Sequence, residues 1–220
     1  MGKMRTAIDF TRRNGVLTLV QECYFQLTTR YYESYFNVDT ELTLSDAAIE
    51  YPNDECCSYS SVHYSHIINV FNRLPVDKEI STFLDFGCGK GRATIAASAY
   101  PFRRIIGVEL THLLTLAEAN LARMRHRIAN NVVLWQCNAT DYTVPADVNV
   151  IYFYNPFRRS ILESVTRNIH RSYRQTPRRI YIIFFNNDHF DQTIRHAKWL
   201  TKLFQRTFYP DISCGLYETG

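Results

Sequence analysis

None of the six cysteines of this 220-residue sequence forms a C-x-x-C pair, so the common zinc-site spacings are missing. No stretch approaches the roughly 20 apolar residues that span a bilayer. The charged start, Met1 to Phe10, has no signal-peptide core. Met1 to Thr6 matches a myristoylation pattern, but the match is too short to carry weight. The cysteines at 23, 56, 57, 88, 137 and 214 therefore read as reduced thiols, and the expected setting is cytoplasmic. Excess charge of one sign is small: 25 Lys and Arg stand against 21 Asp and Glu, a net +4. That is too little to demand a nucleic-acid partner, and the basic run Arg123, Arg125, His126, Arg127 reads as a solvated helix end. There is no internal repeat or low-complexity tract. What remains is one globular domain with a small appendage, 46% hydrophobic and rich in Tyr (15) and Phe (14).

Glycine is scarce, eight in all, yet three fall in Gly87-Cys88-Gly89-Lys90-Gly91. They follow the apolar run Thr82 to Phe86, which holds Asp85, and precede an alanine-rich stretch from Arg92. This order reads as a buried parallel strand, a tight turn and a helix. Bare backbone in such a turn lets a ligand lie directly on the main chain, and the N–H groups at the helix start add a partial positive end. The dinucleotide spacing G-x-G-x-x-G, counted from Gly87, would need glycine at 92, which is Arg92. A Walker loop would need Ser or Thr after Gly-Lys, and Gly91 stands there.

The rest alternates between the two periods. Leu17, Val20, Tyr24, Leu27, Tyr31 and Tyr35 recur at helical steps over 16–35, which predicts an amphipathic helix packed on the core, with a share in covering the cofactor site. Helices are expected at 59–74, 92–99, 113–128 (Leu113, Leu116, Ala117, Leu121 and Met124 inward), 160–173 and 189–204. Strands are expected at 82–86, 104–108, 132–136, 148–154 and 180–185, with a closing hairpin at 204–209 and 213–217. Glu109 follows the second strand, 22 residues after Gly87, the interval at which an acid accepts hydrogen bonds from ribose hydroxyls.

The acid-first pattern D-x-G-x-G-x-G from Asp85 resembles motif I of the S-adenosylmethionine (SAM) dependent methyltransferases with a Rossmann-like fold. A wider likeness covers about residues 30–190. Tyr32-Glu33-Ser34-Tyr35-Phe36-Asn37-Val38-Asp39-Thr40, a Tyr59 helix start, Asp85 to Arg92, Pro101 to Glu109 and Tyr152 to Phe157 resemble, in order and spacing, segments of a group of mostly uncharacterised bacterial methyltransferases. The chain departs from that group at Asn37, where the group has Gly, at Asn138, and at Asn187, where it often has Pro. The resemblance implies an α/β fold: a Rossmann-like, seven-stranded, mostly parallel sheet with helices on both faces. An N-terminal helical extension (1–58) would precede the methyltransferase domain (59–220). It implies SAM as cofactor and S-adenosylhomocysteine as product. Gly87, Cys88, Gly89 and Gly91 would form the cofactor floor, Asp85 would order the loop or hold the methionine amine, and Glu109 with Leu110 and Tyr59 would complete the site. Asn138-Ala139 stands where an acid-Ala pair reads adenine, with Asp141 as a substitute acid. Asn155-Pro156-Phe157 stands where amino-directed methyltransferases carry the turn that accepts hydrogen bonds from a target amine, although they have a second proline. Lys90 and Arg92 are expected to pair with carboxylates, and no residue stands out as a general base. The acceptor, small molecule or protein side chain, stays open, as do the oligomeric state and two rivals: a catalytically silent SAM-binding sensor or partner subunit, and a nucleotide-cofactor oxidoreductase.

Overall fold

The computed structural model describes residues 16–41, 61–154, 157, 159–186, 188–208 and 211–220. Its elements run α1 (Val16–Phe36), α2 (Tyr64–Phe71), β1 (Thr82–Phe86), α3 (Arg92–Ser98), β2 (Arg104–Glu109), α4 (Leu113–Arg123), β3 (Val132–Gln136), β4 (Val148–Tyr154), α5 (Arg159–Gln175), β5 (Tyr181–Phe185), α6 (Asp188–Ile194), β6 (Leu200–Phe208) and β7 (Ile212–Thr219). The seven strands form one sheet in the order β3-β2-β1-β4-β5-β7-β6. β1 pairs in parallel with β2 and β4, and β7 runs antiparallel between β5 and β6. The chain thus leaves β1 toward β2 on one side and enters β4 on the other. A crevice opens at such a reversal, beyond the carboxyl ends of the strands.

Strand alternation divides the core into two layers. Phe83, Ile105, Val150, Tyr152, Ile183 and Phe185 face the layer of α2 and α3, with Tyr64, Ile67, Phe71 and Ile95. Leu84, Phe86, Ile106, Ile151, Phe153 and Phe184 face Ile161, Leu162, Val165 and Ile169 of α5, with Phe190 of α6. These parallel strands are buried on both faces, so they read as unbroken apolar runs.

The apolar stripe expected to pack α1 on the core does not do so. Of its residues, Val20, Tyr24, Leu27, Tyr31 and Tyr35 are 41–65% exposed. α1 docks by another face: Phe25 stacks on His63 with centroids 5.0 Å apart, Tyr32 meets Tyr64 at 5.4 Å, and Phe36 is buried. Polar bonds from Thr29 and Glu33 set that orientation, and hydrophobic spacing does not report them. α4 stops at Arg123 rather than 128, and Leu116 is exposed. Arg125 N–H instead donates to Phe36 O, and those of Ile128 and Ala129 donate to Ser98 O. The expected helix at 189–204 is α6 alone, because residues from Leu200 pair with β7. Both closing strands are longer than expected for the same reason. Asn37 has φ +57°, so the resembling group's Gly and this chain's Asn both suit a left-handed helix end.

Candidate active site

At the end of β1 the chain turns through three left-handed glycines, with φ +72° at Gly87, +53° at Gly89 and +89° at Gly91. A Cβ at any of them would be strained. The N–H groups of Gly87 and Cys88 both donate to Val108 O, and Gly91 N–H donates to Cys88 O. The turn is thereby pinned to the end of β2. Cys88 lies over Gly107, where a Cβ would come within 3.0 Å of its Sγ. Burial first, then the nearby Asp85 and Glu109 carboxylates, push its thiol well above the usual range, so Cys88 is a packing thiol rather than a nucleophile.

Two carboxylates flank the turn. Asp85 is buried and accepts from Thr94 Oγ at 2.9 Å. Burial, followed at lesser weight by the Glu109 charge, raises it to about 7 against the opposing Thr94 bonds. Glu109 is also buried, and its Oε2 accepts from Gly89 N–H at 2.9 Å. Its Oε1 accepts from the Leu110 and Thr111 N–H groups and from Thr111 Oγ. Both oxygens therefore hold backbone in place, and Oε2, with one bond, has an acceptor direction to spare. Glu109→Gln should cost about 2–3 kcal/mol in urea unfolding, since one amide oxygen cannot serve both sides and its NH2 would oppose the Gly89 donor. A loss below about 1 kcal/mol would mean these bonds contribute little.

Asp85, Gly87 and Cys88 line a small cavity of about 40 Å³ together with Val62, Tyr152 and Tyr154. That is room for a polar end group, not for a whole nucleoside. Asn138 is exposed and Ala139 buried. Asn138 Oδ1 accepts from Thr140 N–H at 3.0 Å, closing a local turn. Phe157 is 8% exposed and stands edge-to-face to Phe153 at 6.4 Å, within the core layer of α5. Tyr59, Asn155 and Pro156 lie outside the described residues.

Lys90 and Arg92, the latter also in the wall of this cavity, bind the N-terminal segment. Lys90 is buried, donates to Glu41 O at 2.7 Å and lies 3.9 Å from Asp39. Arg92 is buried over the Tyr64 ring, donates through Nε to Thr40 Oγ at 2.7 Å and reaches Glu33 Oε1 at 3.4 Å. Glu33 also accepts from Thr40 N–H. Asn120 bridges Asp39 and Lys90 by donating to both carbonyls. The two stretches that resemble the methyltransferase group, 32–40 and 85–92, are thus in contact with each other.

A second cavity, of about 250 Å³, shares Ser61 and Arg92 with the first. Its other walls are Gln26, Thr29, Glu41 and His63. Burial, then the Arg92 charge, lowers His63 below the usual imidazole range. These residues come from three distant segments, and no local pattern marks them. Among the described residues no group of His, Cys, Asp and Glu is arranged to hold a metal ion, and no helix is long and apolar enough to cross a membrane.

No protein-family profile and no curated protein matches the sequence. Solved structures do match in shape. A precorrin 8w decarboxylase from Methanobacterium thermoautotrophicum superposes with TM-score 0.53 at 17% identity, over 78% of this chain and 100% of the other. A ribosomal protein L11 methylase from Lactobacillus delbrueckii gives 0.53 at 15%, over 71% and 79%. An RNA methyltransferase from Salinibacter ruber, in complex with S-adenosyl-L-homocysteine, gives 0.50 at 15%, over 71% and 88%. The chain has the class I methyltransferase fold. At these identities the likeness concerns the fold. Within it, this chain's glycine turn, Asp85 and Glu109 lie at the carboxyl ends of β1 and β2, beside the reversal of strand order.

Proposed function

We propose that this chain is a SAM-dependent methyltransferase whose acceptor is an amine. The observation that carries the reading is the turn of three left-handed glycines at the strand reversal, flanked by two buried carboxylates and no Walker-type phosphate loop. The residues fit the cofactor. Asp85 would face its ammonium group, and bare backbone at Gly87 and Gly89 would allow close approach. Glu109 would accept from ribose hydroxyls with the capacity its backbone bonds leave unused. Asn138 and Ala139, with Asp141 near, would meet the adenine. When bound, SAM supplies a methyl group already activated by a positively charged sulfur. The protein's contribution is then orientation and exclusion of water. Asn155 and Pro156 would orient the acceptor amine, a role resting on the resemblance of that turn, whereas Phe157, expected to face the acceptor, packs in the core layer instead.

Calorimetry with S-adenosylhomocysteine and with NAD tests this reading. Micromolar binding of the homocysteine compound with no NAD heat is expected. NAD binding alone would replace the reading with the oxidoreductase, and binding with no methyl transfer to any cell fraction would replace it with the silent sensor.

A further inference from the structure

We infer that the cavity between α1 and the 61–63 segment is the acceptor site, built for a small cationic amine, with His63 as the group that takes its proton. This rests on the methyltransferase reading, which it extends to an acceptor chemistry and a general base. The cavity adjoins the one at Asp85 and Gly87, since Ser61 and Arg92 belong to both walls. Its volume, about 250 Å³, sits below the usual range for drug-sized ligands, ~300–1,000 Å³, and suits a small metabolite. All six lining residues are polar or charged.

The charges decide the class of ligand. Arg92 is matched by Glu33 at 3.4 Å and is hydrogen-bonded to Thr40 and to Val62 O. The Glu41 carboxylate is exposed and has no ion pair among the described residues; only its backbone carbonyl is used, by Lys90. The one charged side chain of the lining without an ion-pair partner among the described residues is thus a carboxylate, which offers a cation its counter-charge. Gln26, Thr29 and Ser61 add hydrogen-bonding groups around it.

His63 stands in the wall of the same cavity. Its Nδ1 lies 3.2 Å from Thr29 Oγ and Phe25 stacks on the ring, which fixes the imidazole plane. With Nδ1 protonated and donating to Thr29, Nε2 is the basic nitrogen. Burial and Arg92 favour the neutral ring, while Glu22 and Glu41 oppose them, and the His66 ring stands edge-on at 5.5 Å. A neutral imidazole at physiological pH can accept a proton. The ammonium N–H bond breaks, the Nε2–H bond forms, and the positive charge passes to the imidazolium. The amine is left with a free electron pair, the form that can attack a methyl carbon. The proton leaves to water through the cavity mouth.

The test uses the full chain with butylammonium chloride as probe, and sodium butyrate as the anionic control. Observed by NMR, the His63 ring protons should shift on adding butylammonium and stay in place with butyrate. In Glu41→Gln the shift should weaken at least fivefold, while affinity for S-adenosylhomocysteine stays within twofold of the parent. With labelled SAM and fractionated cell extract, label should enter the small cationic fraction. At saturating SAM, His63→Gln should lower that transfer at least tenfold, while affinity for S-adenosylhomocysteine stays within twofold of the parent. Equal response to butyrate, no response to either probe, an unchanged rate in His63→Gln, or label found only in RNA or protein would each overturn the inference. Loss of S-adenosylhomocysteine binding in the parent chain would instead strike the cofactor reading.

Discussion

S-adenosylhomocysteine should bind about eightfold more tightly at pH 7.5 than at pH 6, because Asp85 must be ionised to pair with its ammonium group. Asp85 titrates near 7, so its charged fraction rises steeply over that interval, while the ligand's α-amine is still mostly protonated at pH 7.5. The empty protein should respond in the opposite sense. The folded-state value lies above the ordinary 3.8, so from about pH 4 to 7 the folded chain holds a proton that the unfolded chain has released. Stability is then fullest below that window, falls as pH rises through it, and levels off above 7. A shift of this size corresponds to roughly 4 kcal/mol. Asp85→Asn, which keeps an acceptor for Thr94, should therefore raise the melting temperature at pH 8 while weakening S-adenosylhomocysteine at least tenfold and abolishing its pH dependence. Such a trade of stability for binding is expected where a charge is buried for use. A lower melting temperature in Asp85→Asn at pH 8 would show that the buried charge does not strain the fold.

Arg92→Met should destabilise the chain by about 3–5 kcal/mol, because it leaves the Glu33 carboxylate under the N-terminal segment without its cation. Burial already raises Glu33 above the usual carboxylate range against the pull of Thr40 and then of Arg92, so losing the arginine removes the cation that helps Thr40 hold this acid. Total stabilities are about 5–15 kcal/mol, and the loss would be visible as a large drop in the urea midpoint. The double variant Glu33→Leu, Arg92→Met should recover at least half of that loss, since two apolar side chains replace two desolvated charges. Additive effects in a double-mutant cycle would show that the 3.4 Å pair is not coupled.

Much of the sheet was legible because parallel strands buried on both faces are written as continuous apolar runs, and β1 and β4 lie at the residues such runs mark. The glycine turn was legible for a different reason: only glycine takes three left-handed positions in five residues at little cost. The exposed stripe on α1 shows the limit. Its spacing describes an apolar helix face, but the face that docks is chosen by Thr29, Glu33 and Phe36 meeting His63, Arg92 and Tyr64, partners 28 to 59 residues away in sequence.

By itself the amino-acid sequence determined the α/β class, the turn at 87–91 and the acid that follows at 109, because those features depend on neighbours within a few residues or on a short strand period. Only the tertiary structure decided what Lys90 and Arg92 hold, which face of α1 is buried, and that Gln26, Glu41 and His63 share a cavity beside Asp85. Those outcomes depend on charge pairing and burial between segments brought together from far apart, and no local pattern of residues encodes such distances.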